Sequence, residues 1–177
     1  MGGLYAYAAE VYGKNLSTTE RPYYIGRPQF LLIHTVDPHL MCVPSLHVMV
    51  VIRTYTLFAE ILKSLGEESR FAQQAEELRL GALAITEAVL YVKQHSVNCI
   101  PAALYAMTCF DPGLFPPAEA ERFVSGIFRE AEVPDKEASG EIREHILALY
   151  RRFLASSRPD KDWKEPLLDF LKELSLE

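Results

Sequence analysis

Apolar and polar residues follow a helical period along most of this chain. From Ser45 to Leu65, apolar residues recur at Val48, Val51, Ile52, Tyr55, Phe58, Ala59 and Leu62, with Ser45 as a capping residue and Gly66 as a stop. A second helix is expected from about Glu67 to Val92, polar at its start and apolar and buried in its later half. Pro101 suits the first turn of a third helix that ends before the breaker cluster DPGLFPP. Three amphipathic helices should follow. One lies in AEAERFVSGIFREAE, one runs from Lys136 to Ser157 with Ile142, Ile146, Leu149, Tyr150 and Phe153 as its stripe, and the last runs from about Trp163 to Leu174. Only the short run from Phe30 to Ile33 has any strand character, so the expected fold class is all-α.

Composition narrows this picture. A chain of 177 residues, 49% hydrophobic, supports one core, so residues 1–177 are read as one domain, with 112–177 a helical appendage on the first 111. The net charge of −6 offers no broad basic surface for phosphate backbones, which argues against nucleic acid as a partner. The longest uncharged stretches, Pro38 to Ile52 and Gln94 to Phe110, fall short of the ~20 apolar residues that a spanning helix needs. The N-terminal MGGLYAYAAEVYGK lacks the features of a signal peptide or a myristoylation site. Cys42, Cys99 and Cys109 form no C-x-x-C pair, and a reducing, cytoplasmic setting is the simpler expectation.

The candidate chemistry lies in three segments. KNLSTTERP carries Lys14, Arg21 and Pro22; VPSLHV carries Pro44, Ser45 and His47; YVKQHSVNC carries His95. His34, His39, Cys42 and His47 invite a zinc reading, but their spacings match no common structural zinc pattern, so no metal is assigned. Tyr5, Tyr7, Tyr12, Tyr23 and Tyr24 could line a pocket, although such residues more often pack a core or an oligomer contact. Asp37, before Pro38, reads as a turn residue.

Taken in order, the three segments resemble the phosphatidic acid phosphatase type 2 superfamily, which includes the vanadium haloperoxidases and carries K-x6-R-P, P-S-x-H and S-R-x5-H-x3-D. The KQHSV wording is most similar to the branch of sphingolipid and inositol-phosphoceramide synthases. The resemblance covers about Lys14 to Phe110. It implies a helical bundle of that type, extended here by C-terminal amphipathic helices, and a phosphatase or phosphotransferase that needs no cofactor. The substrate would be a phosphate monoester or a phospholipid-like molecule.

By the resemblance His95 is the nucleophile and His47 the general acid. Lys14 and Arg21 hold the phosphate oxygens, helped by Ser45 and by backbone N–H groups near Leu46 at a helix N-terminus. The third motif departs from the family: its serine and arginine positions fall on Ala88 and Val89, and its aspartate position on Cys99. Lys93 or Arg53 could supply the missing cation, and Cys99 is a weak substitute for a carboxylate. Two further readings stay open. The chain is either a catalytically impaired relative that binds phosphate or a phosphorylated ligand, or a helical interaction domain whose motif match is accidental.

Overall fold

The computed structural model describes residues 2–12, 43–91, 95–129 and 136–174. Among these residues the protein is all-helical, with seven helices: α1 (Gly2–Tyr12), α2 (Leu46–Leu65), α3 (Ala72–Tyr91), α4 (Cys99–Phe110), α5 (Pro117–Gly126), α6 (Lys136–Ser156) and α7 (Glu165–Leu174). The strand candidate at Phe30 to Ile33 lies outside the described residues.

The signals read at both ends of α2 act as expected. Ser45 is extended, and its Oγ accepts from the Val48 N–H at 3.5 Å. At the other end Gly66 takes φ 67, in the left-handed region that favours glycine. This lets Gly66 N–H reach Lys63 O at 3.1 Å and Glu67 N–H reach Leu62 O at 2.9 Å, the paired bonds of a Schellman cap.

Helix α4 is the hub of the bundle. Ten of its twelve residues are buried, so it is apolar on every side, as a helix enclosed by others must be. Helices α2 and α6 flank it, with α1 and α5 also in contact. Its polar side chains are satisfied in place. Thr108 Oγ1 donates to Leu104 O at 3.0 Å and lies 2.9 Å from Tyr150 OH on α6, while Tyr105 OH donates to Trp163 O at 2.8 Å. Phe153 of α6 closes this half between Tyr105 and Phe170. Buried apolar residues from all seven helices join in one contiguous cluster.

Three elements differ from the sequence reading. Helix α1 was not anticipated; it is held by Leu4, Ala8 and Val11, buried against α2 and α4. Helix α3 starts at Ala72, and its apolar half is only partly covered, because Ile85 stays 43% exposed. Helix α5 stops at Gly126, where a Cβ would come within 2.8 Å of Leu83 Cδ1 on α3. The close approach of α3 selects glycine there, and the chain leaves the helix through Ile127 and Phe128 (φ 59).

Candidate functional site

The starts of α2 and α4 lie side by side. The backbone N–H of Ser45, just before α2, donates to the carbonyl of Cys99, the first residue of α4, at 3.3 Å. The segment leading into α4 is fixed by His95 N–H to Val89 O at 3.2 Å and by Cys99 N–H to Ser96 O at 3.1 Å. Because the two helices begin at the same end, their partial positive charges add at this point. Neither helix has an acidic residue in its first turn to offset that field.

His47 and His95 meet at this end of the bundle. His47 Nδ1 lies 3.1 Å from His95 Nε2, with the rings at 68° and centroids 5.3 Å apart. One nitrogen donates and the other accepts, so at least one ring is neutral along this edge. The surroundings of the rings differ: His47 is exposed, whereas His95 is 5% exposed. His95 Nδ1 is buried and has no hydrogen-bond partner among the described residues. Leaving a buried polar nitrogen unsatisfied costs about 1–3 kcal/mol.

Ser45 is fully buried and Leu46, the first residue of α2, is half-buried beside it. Cys99 is buried, with its Sγ 3.3 Å from Ser96 Oγ. Lys14, Arg21 and Lys93 lie outside the described residues, as do His34, Asp37, His39, Cys42, Tyr23 and Tyr24. Among the described residues no group of three or more His, Cys, Asp or Glu could hold a metal ion.

Two sequence positions take on different roles. Arg53 Nη1 lies 2.5 Å from Asp111 Oδ2, and its guanidinium sits 5.8 Å from the Phe110 ring centroid. It is thereby committed to the far end of α4. Val89, at the family's arginine position, is a core residue whose carbonyl accepts from His95 N–H. Of the tyrosines, Tyr7 stacks on Trp163 at 3.9 Å and meets Phe110 edge-on at 5.2 Å, which makes it a packing residue.

Sequence reasoning missed the paired helix starts and Ser96. The absence of acids in both first turns was a readable signal, but the parallel arrangement of α2 and α4 was not. Among the described residues no helix is long and apolar enough to cross a membrane. No family model, characterised protein or solved structure matches the chain.

Proposed function

We propose that the chain is a phosphatase or phosphotransferase of the phosphatidic acid phosphatase type 2 kind, working through a phosphohistidine. The observation that carries this reading is the 3.1 Å approach of His47 and His95, 48 residues apart, at two helix N-termini that attract an anion. A phosphate monoester or phospholipid-like headgroup is the substrate class.

In the resting pair the His95 Nε2 faces His47, so phosphate must enter between the rings. His47 is the exposed ring, so phosphate enters from its side. Neutral His95 with its proton on Nδ1 then forms an N–P bond through Nε2 as the ester P–O bond breaks. Protonated His47 gives its proton to the leaving oxygen. Water next attacks phosphorus, His47 takes up its proton, and the N–P bond breaks to release inorganic phosphate. Transfer to an alcohol instead of water follows the same course.

The attacking tautomer needs the proton on Nδ1, and an acceptor there would hold it. In a Ser-His-Asp site, losing the orienting carboxylate costs about 10⁴ in rate. The Nδ1 of His95, without a partner among the described residues, therefore favours a second reading, a relative that binds phosphate and turns it over slowly or not at all.

Turnover of an aryl phosphate, abolished by His95→Ala and sharply reduced by His47→Ala, is the expected result for the enzyme. Vanadate or phosphate binding lost in His47→Ala, without turnover in the native chain, would select the binding reading. Absence of both would reject the two together.

A further inference from the structure

Every exposed large hydrophobic side chain among the described residues belongs to α2 or α3. Five of them line one face of this antiparallel hairpin: Leu57, Ile61 and Leu65 on α2, and Leu78 and Ile85 on α3. At about 100° per residue, this face points away from the side covered by α5. The covered side carries Tyr55, bonded to Glu119 and stacked on Phe123, and Leu83, packed at Gly126. Along the bare face, positions 50, 54, 57, 61 and 65 of α2 and 74, 78, 81, 85 and 88 of α3 carry no charged residue.

Gly81 is the second, independent observation. It lies in the interior of α3 on the bare face, and a Cβ there would meet nothing within 4 Å. Glycine in a helix interior is unfavourable relative to alanine. At Gly126 the approach of Leu83 explains the residue, whereas nothing among the described residues explains it at Gly81. Close approach of a helix from outside does.

We propose that this face docks a second copy of the chain, two α2–α3 hairpins stacking face to face as a four-helix layer with Gly81 at a backbone contact. Two helices of twenty residues, side by side, present roughly 30 by 20 Å, or about 600 Å² of face. With side-chain relief this approaches the ~800 Å² per partner of a standard interface. A lipid surface is the poorer occupant, because residues 46–91 contain six acidic and four cationic side chains, the wrong balance for anionic headgroups.

The test is sedimentation velocity on the full chain over about a hundredfold range of concentration. The expected species has twice the 20.0 kDa chain mass. Ile61→Glu and Ile85→Glu should each weaken association about tenfold or more, and so should Gly81→Leu, with helicity by circular dichroism unchanged. Gly81→Leu is decisive because it adds a better helix former into open space. A monomer at every concentration would overturn the proposal, as would a dimer indifferent to all three substitutions. Co-flotation of the native chain with anionic phospholipid vesicles, lost in Ile61→Glu, would assign the face to a membrane and overturn it as well.

Discussion

The two flanks of α4 treat their polar groups in opposite ways. Toward α6, Thr108, Tyr150 and Tyr105 are each hydrogen-bonded, and aromatic rings fill the space between them. Toward the start of α2, His95 is as deeply enclosed, yet one of its ring nitrogens has no partner among the described residues. A satisfied polar group in a core adds specificity and stability. An unsatisfied one is a cost that folding alone does not call for, so it points to chemistry or binding. The α4–α6 flank should therefore respond to substitution in stability, and the histidine end in activity.

The largest expected effect is at the histidine end. His95→Ala should lower aryl phosphate turnover by about 10⁴ or more, while its thermal midpoint stays near that of the native protein. A large loss of stability with activity retained would reverse the comparison. On the other flank, Phe153→Ala should destabilise the fold by about 3–5 kcal/mol, measured by urea unfolding. The 1% exposure of Phe153 and its contacts with Tyr105 and Phe170 are the reason.

Cys99→Asp sharpens the contrast from the other direction. A carboxylate four residues after His95 should offer Nδ1 the missing acceptor and raise turnover by roughly tenfold to a hundredfold. Unchanged turnover would mean that the tautomer of His95 is not the limiting defect.

The smallest effect concerns the satisfied flank. Tyr150→Phe should cost about 1 kcal/mol, because Thr108 Oγ1 keeps its bond to Leu104 O. Burial holds the Tyr105 and Tyr150 phenols above their usual value of 10.0. Their folded pKa values are raised, so the stability they contribute is present below pH 10 and is lost as pH rises through the folded values. Thermal midpoints should fall above that pH, and less steeply in Tyr150→Phe.

Much of the fold could be read from local signals. Ser45 and Gly66 bracket α2 because capping chemistry is local, and α6 follows its stripe because one face alone is buried. Helix α1 escaped notice because its buried stripe is only Leu4, Ala8 and Val11, preceded by two glycines with poor helix propensity. The end of α5 depends on Leu83, some forty residues earlier in the chain, which no local pattern records. At the site, the order of the motifs raised the question of whether His47 and His95 share one pocket. Their 3.1 Å contact, the alignment of two helix starts and an Nδ1 without a partner among the described residues are tertiary facts. The commitment of Arg53 to Asp111 is another, since six residues separate it from His47 and it faces a different neighbour.

The most direct measurement is to quench the protein during turnover of an aryl phosphate and map the added mass by peptide. A single phosphoryl group on His95, stable in alkali and lost in acid, is expected, and it should be absent from His95→Ala. Turnover with no phosphoryl group on any histidine would contradict a phosphohistidine route, and a phosphoryl group on another residue would move the nucleophile away from the His47 and His95 pair.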